Sequence, residues 1–221
     1  MDLQSPKTDY ENSMKFNTAR TISTLEKDSE RPENQLIAEN PNEESILFLK
    51  SLSRSDLPEC LEDNLNIYSV KSGAKLGEFK VTVSSSAEDE NLLNVAGSCD
   101  GTVDGVRCGT KLNAAVHIEG VKTVFQEHSE YLEFEGVKLL KATSIPTVNN
   151  PETEGRIIVQ TENSPEGTRE RSHTLSPEQI KGFLAEGASL VLLKILAAKG
   201  EGPELNLITL DAMGAPCSVH W

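Results

Sequence analysis

Four kinds of side-chain grouping in this chain have the residue types for chemistry. The first is Gly97-Ser-Cys-Asp-Gly-Thr-Val-Asp-Gly-Val-Arg-Cys-Gly109, with glycine at every fourth position. Glycines let a backbone approach a phosphate, but a P-loop ends in Gly-Lys-Ser/Thr, and Gly109-Thr110-Lys111 inverts that order. Asp100 and Asp104 lack the further ligands of a calcium loop, so two Asp-Gly turns account for the pattern. The second grouping is thiol: Cys99 and Cys108 would need two more ligands at zinc spacing, and with Cys60 and Cys217 they read as free thiols. The third is Glu127-His128-Ser129, which holds the residue types of a hydrolase without a G-x-S-x-G elbow. His117, His173 and His220 stand alone. The fourth is the acid pair Glu133 and Glu135, placed to solvate one strand face rather than to share acid/base work. No catalytic, cofactor-binding or metal site is assigned, and the chain is expected to be non-enzymatic.

The elements that position these residues follow from periodicity. Asn42 caps a helix carrying Ile46, Leu47, Leu49 and Leu52, and a short turn follows around Ser55 to Leu61. Leu65 to Val70 and Lys75 to Val83 form a hairpin across Lys71-Ser-Gly-Ala74. Further strands are expected at Leu92–Ser98, Lys111–Ile118, Val121–Gln126, Tyr131–Phe134, Val137–Ser144, Arg156–Glu162 and Thr168–His173. Asp100-Gly101, Asp104-Gly105, Glu135-Gly136, Asn149-Asn150-Pro151 and Pro165-Glu166-Gly167 supply turns between them. Short strands joined by short polar turns argue an antiparallel meander.

One long helix is expected from Pro177 to Lys199. Ser176 caps it, Pro177 takes the first helical position, Gln179 completes a capping box, and Gly200 stops it. Beyond Ala188 apolar residues run almost all round, so its second half should be buried. Gly182 and Gly187 would each cost about 1 kcal/mol against alanine in a helix interior, which close packing on a sheet can offset. Leu205–Leu210 and Ala215–Trp221 then form a last hairpin. The expected fold is α+β, a curved antiparallel meander wrapped around this one apolar helix. The edge near Ala215–Trp221 would be unpaired and able to recruit another chain.

Composition narrows the partners. Thirty-five acids against 21 bases give the 221 residues a net charge of −14, which repels nucleic acid and anionic lipid. The apolar run Leu190 to Ala198 contains Lys194 and is too short for a membrane span. Neither a secretory leader nor an N-x-Ser/Thr acceptor is evident, which points to the cytoplasm. Residues 1–42 read as a disordered acidic tail and 43–221 as a sheet-plus-helix domain, expected to be incomplete at its C-terminus because the chain stops inside a strand.

The segment Ile180-Lys-Gly-Phe-Leu-Ala-Glu-Gly-Ala-Ser-Leu-Val-Leu-Leu-Lys194, followed by Leu207-Ile-Thr-Leu-Asp211, resembles the ciliogenesis-associated proteins that bind a tetratricopeptide-repeat partner. Ile46-Leu-Phe-Leu-Lys-Ser-Leu52 and Gln126-Glu-His-Ser-Glu-Tyr131 are similar to the same family in the same order. The resemblance implies a cytosolic and cytoskeletal adaptor in cilium assembly, linked to actin polymerisation. It also implies a tetratricopeptide-repeat partner and a presence at the nucleus and cell membrane. Two other readings fit the expected fold: a structural axonemal subunit, or a carrier holding an apolar ligand inside the curved sheet.

Overall fold

The computed structural model describes residues 40–147, 155–200, 202–211 and 214–220. The expected tail over 1–42 therefore lies almost wholly outside the described residues, as do the turn Asn149-Asn150-Pro151 and Trp221. Helix α1 (Glu43–Ser51) starts at Asn42, whose side-chain oxygen accepts the Ser45 N–H at 2.8 Å. A 3-10 turn at Arg54–Asp56 leads into a meander of β1 (Glu62–Tyr68), β2 (Lys75–Ser85), β3 (Leu92–Val103) and β4 (Val106–His117). It continues through β5 (Lys122–Phe134), β6 (Val137–Ile145), β7 (Arg156–Ser164) and β8 (Gly167–Leu175). Then come α2 (Pro177–Ile180), α3 (Glu186–Lys199), β9 (Asn206–Leu210) and β10 (Pro216–His220).

The eight strands pair antiparallel in chain order, and the ladder stays open: β1 pairs only with β2, and β8 only with β7. The expected curved sheet wrapped around one long helix is thereby corrected. Helix α3 lies on one face of the sheet, mainly against β3, β4 and β5. Val81, Val83, Leu93, Val95, Leu112, Ala114 and Val116 form one core with Ala188, Val191, Leu192 and Ile195 of α3, and Leu49 of α1 and Leu52 just after it close the layer. A second cluster over the later strands joins Ile145, Ile158 and Leu175 to Phe183, Ala185 and Ile208.

The stretch Pro177–Lys199 is two helices, a second correction. The capping box at Ser176 and Gln179 forms as expected, at 3.3 and 3.0 Å, yet α2 ends after one turn. At the break, backbone groups leave the helical pattern for β9: Leu184 N–H donates to the Ile208 carbonyl at 2.8 Å, and Ile208 N–H donates to the Gly182 carbonyl at 2.9 Å. Ala185 is extended, at φ −74° and ψ 173°, so α3 starts afresh. Its second half is not buried all round either; Leu193 is 46% exposed and burial follows one stripe.

Strand boundaries also move. Lys122–Phe134 is a single strand, because Glu127 to Glu130 pair without a break with Thr110–Asn113 of β4 and Lys141–Ser144 of β6 across what reads as a polar gap. Asp100-Gly101 lies within β3, and only Asp104-Gly105 turns, with both residues left-handed at φ 51° and 82°. The hairpin β9–β10 forms its own two-stranded sheet, so Pro216–His220, the described strand of the expected edge near Ala215–Trp221, does not border the main one.

Candidate functional site

Where α3 begins on the sheet lies a connected polar cluster, apart from the buried polar side chains of Ser45, Thr143, Arg156 and Gln160. Helix α3 has no side-chain cap of its own, since Ala185 occupies that position. The sheet supplies what is missing. Gln126 of β5 is fully buried between Ala114 of β4 and Ile145 of β6, and its amide oxygen accepts the Gly187 N–H at 2.9 Å. The Thr123 hydroxyl accepts the Ala185 N–H at 3.4 Å. Two of the N–H groups at the start of the helix are thus satisfied from the strand beneath it.

The cluster continues outward. The Gln126 amide nitrogen donates to Glu186, whose other carboxylate oxygen lies 3.4 Å from Nδ1 of His128. Nε2 of His128 is 2.6 Å from the Thr110 hydroxyl on β4. The Glu186 hydrogen bond, helped by the nearby negative charge of Glu186 and Glu130, holds the imidazole pKa above its ordinary value against the opposing effect of burial. Burial pushes the Glu186 carboxyl up, but hydrogen bonds from His128, its own backbone N–H and Gln126 outweigh this and leave it below the usual range. A carboxylate in the first turn of α3 also complements the helix dipole.

Two close approaches permit this seating. A Cβ on Gly187 would lie 2.5 Å from Cβ of Ala114, so α3 reaches β4 only because both residues are small. A Cβ on Gly182 would lie 2.4 Å from Cβ of Pro41, where the chain crosses ahead of α1. Both glycines have the packing role their positions suggest, although Gly182 sits in the break and not in a helix.

Of the groupings with chemical residue types, only one member reaches this cluster. Strand alternation sends His128 to the helix side and Glu127 and Ser129 to the opposite face, so the three do not converge. Glu133 pairs with Arg107 at 3.5 Å, and Glu135 lies past the strand in a turn at φ 50°. His117 is 3.9 Å from Asp89, while His173 and His220 lie in β8 and β10. Asp100 accepts a hydrogen bond from the Tyr131 hydroxyl. Cys60, Cys99, Cys108 and Cys217 are free thiols, and burial raises the pKa of Cys99 and Cys217, which makes them poorer nucleophiles. Among the described residues no group of three or more His, Cys, Asp or Glu is placed to hold a metal, and no helix is long and apolar enough to cross a membrane.

Gln126 and Glu186 had no local signal as a pair. Their one mark was a glutamine at an inward position of a strand whose neighbours in register are apolar. Both lie in segments that carry the family resemblance, Gln126–Tyr131 and Ile180–Lys194, and the fold brings these two segments into contact.

Comparison with known proteins extends that observation over the whole domain. The family model "Ciliogenesis-associated TTC17-interacting protein, N-terminal domain" matches residues 44–221. Proteins named ciliogenesis-associated TTC17-interacting protein are similar to this chain. The one from Xenopus laevis is 30% identical over 188 residues, covering 82% of this chain and 48% of the relative. The one from Danio rerio is 26% identical over 163 residues, covering 73% and 44%, and the one from Homo sapiens is 27% identical over 184 residues, covering 80% and 46%. The chain spans about half the length of the curated relatives it matches. No solved structure matches it significantly.

Proposed function

We propose a function that proceeds from one premise: the chain belongs to the family of ciliogenesis-associated TTC17-interacting proteins. It acts as a non-enzymatic adaptor in cilium assembly, binding a tetratricopeptide-repeat protein and contributing to organisation of the actin cytoskeleton. It works in the cytoplasm and cytoskeleton near the cilium. The observation that carries this reading is the family match across residues 44–221, which takes in every described strand and, but for Glu43, the three helices α1 to α3.

The polar cluster supports an adaptor over an enzyme. Its members are occupied with one another: Gln126 caps α3 and binds Glu186, and His128 engages Glu186 and Thr110. An acid/base residue needs a free position within reach of a reacting atom, and here the same groups fasten a helix to a sheet. The function then belongs to the surfaces this scaffold holds in place.

The test is affinity capture with purified TTC17, the partner in the relatives' names, using this chain and a variant unfolded by a core substitution. Capture by the folded chain alone is the expected result. Its absence, together with normal cilium number and filamentous actin in ciliated cells lacking the protein, counts against the adaptor.

A further inference from the structure

The thiols of Cys99 and Cys108 have no part in the packing of α3 or in the polar cluster beside it. Alternation along β3 and β4 turns both toward the face that carries α3. Leu93, Val95 and Gly97 are buried ahead of Cys99, and Leu112, Ala114 and Val116 beyond Cys108, while Ser98, Asp100, Arg107 and Lys111 are exposed on the other face. The register sets how far apart the two lie. Cys99 is opposite Thr110 and Cys108 is opposite Gly101, so the cysteines are diagonal neighbours on adjacent strands. Burial first, then the nearby Cys108 and Asp100, raise the Cys99 thiol above its ordinary pKa.

Glycines keep the surface beside the pair bare. Gly101 faces Cys108, and Gly77 of β2 faces Gly101 from the other side. A Cβ on Gly77 would lie 2.4 Å from the Asp100 carbonyl oxygen, and one on Gly101 would lie 2.7 Å from that of Leu76, so neither position accepts a side chain. Phe79 opposite Cys99 and Leu132 opposite Cys108 add apolar walls. Both thiols are half-buried and Leu132 is 47% exposed, so a small solute can reach them. The hydroxyl of Thr110, between the two cysteines on this face, is engaged by His128 at 2.6 Å.

A disulfide does not suit this register. It needs Cβ atoms about 3.5–4.5 Å apart, whereas diagonal neighbours across a ladder sit about 7–8 Å apart, and only somewhat less between Cβ atoms. An ion between the sulfurs closes that gap, since each metal–sulfur bond adds about 2.3 Å, the value for zinc. We infer that Cys99 and Cys108 form a two-thiolate site for a soft monovalent cation, copper(I). Soft thiolates select copper(I), zinc and iron–sulfur clusters, and the last two call for four protein ligands in a structural site. Among the described residues no third His, Cys, Asp or Glu joins the pair to hold a metal, which leaves the ion that two thiolates satisfy. Binding is an exchange of protons for metal with no change of oxidation state. Two S–H bonds break, two copper–sulfur bonds form, and two protons pass to solvent.

The test is anaerobic titration of the reduced, purified chain with copper(I) supplied as its bicinchoninate complex, whose colour falls as the protein takes the ion. One equivalent should transfer per chain, and sedimentation should show that the loaded chain stays monomeric. Cys99→Ser and Cys108→Ser, with circular dichroism unchanged, should each weaken binding by about hundredfold or more, because the remaining thiolate loses its chelating partner. Cys60→Ser and Cys217→Ser should leave it as it was. Lowering the pH by one unit from neutrality should weaken wild-type binding about hundredfold, tenfold for each proton displaced. X-ray absorption of the loaded wild type, which depends on no variant, should report two sulfur neighbours around copper. Absence of transfer overturns the inference. Transfer that survives Cys99→Ser or Cys108→Ser, or that falls as much with Cys60→Ser, marks an adventitious ion only and overturns it as well. A third sulfur neighbour, or a dimer bridged by copper, places the ion between chains and does the same.

Discussion

Nδ1 of His128 lies 3.4 Å from a carboxylate oxygen of Glu186, joining the middle of β5 to the first turn of α3. The two pKa shifts set a pH window for this contact. The imidazole is raised above its ordinary 6.5, so its contribution to stability is complete below that value and is lost as pH rises through the folded-state pKa. The carboxyl is lowered below its ordinary 4.5, so its contribution is complete above that value and is lost as pH falls through the folded-state pKa. The pair therefore contributes most between 4.5 and 6.5. Urea unfolding should show greater stability at the acidic side of neutrality than above pH 8, and His128→Gln should flatten the difference. Glu186 is 37% exposed on its side chain, so the effect is at most about 1 kcal/mol after solvent screening.

Gln126 carries more of the stability than His128 because it is buried and serves two partners. Gln126→Leu fills a similar volume but leaves the Gly187 N–H without its acceptor and takes from Glu186 one of its donors. Leaving such groups unpaired costs about 1–3 kcal/mol each, partly recovered here by water reaching Glu186. A loss of about 2–3 kcal/mol in urea unfolding is expected. Amide exchange should locate it: Gly187 should lose protection before the centre of α3 does. Unchanged exchange at Gly187 would show that the cap is not held through Gln126.

At Gly187 helix propensity and packing pull in opposite directions. Alanine would favour the helix by about 1 kcal/mol. The added methyl would meet Cβ of Ala114 at 2.5 Å, on a strand fixed by partners on both sides, so α3 would have to lift off the sheet. Overpacking of this kind costs about 1–3 kcal/mol, so Gly187→Ala should destabilise on balance. Ala114→Gly in the same chain should recover much of the loss, with a coupling energy above about 0.5 kcal/mol in the double-mutant cycle. Additive effects would mean that the two residues do not meet.

Legibility in the sequence followed the range of the interactions. The cap at Asn42, the box at Ser176 and Gln179, the turns at Asp104-Gly105 and Glu135-Gly136 and the meander order are local, and local chemistry marks each of them. The break after Ile180 is not local. Capping signals and apolar density favour continuing the helix, and it ends because Gly182 and Leu184 find main-chain partners on Ile208, which arrives later in the chain. The curvature expected of the sheet had the same origin: a long helix needs wrapping, whereas α3, with 14 residues, is covered by three strands and α1. The polar cluster was legible only in halves. His128 stood out for its residue type, but its partners come from β4 and α3, and alternation separates it from the two residues beside it in sequence.

The β5–β6 hairpin has room for improvement at Glu135. Glu135 and Gly136 both have positive φ, at 50° and 79°, the geometry of a type I′ turn. Glycine adopts it without strain, but a glutamate in the left-handed region brings its Cβ close to the following carbonyl, at a cost of roughly 1–2 kcal/mol. The equivalent position in the β3–β4 hairpin, at φ 51°, is Asp104, a residue type that tolerates the region better. Glu135→Asn should therefore stabilise the protein by about 0.5–1 kcal/mol, since asparagine before glycine is the preferred pair in this turn. Asp104→Asn, with less strain to relieve, should gain less. Both variants also remove one negative charge, which makes the second a control for charge in the first. Thermal melts at matched pH check the order, and an equal gain from the two substitutions would assign the effect to charge and not to the backbone.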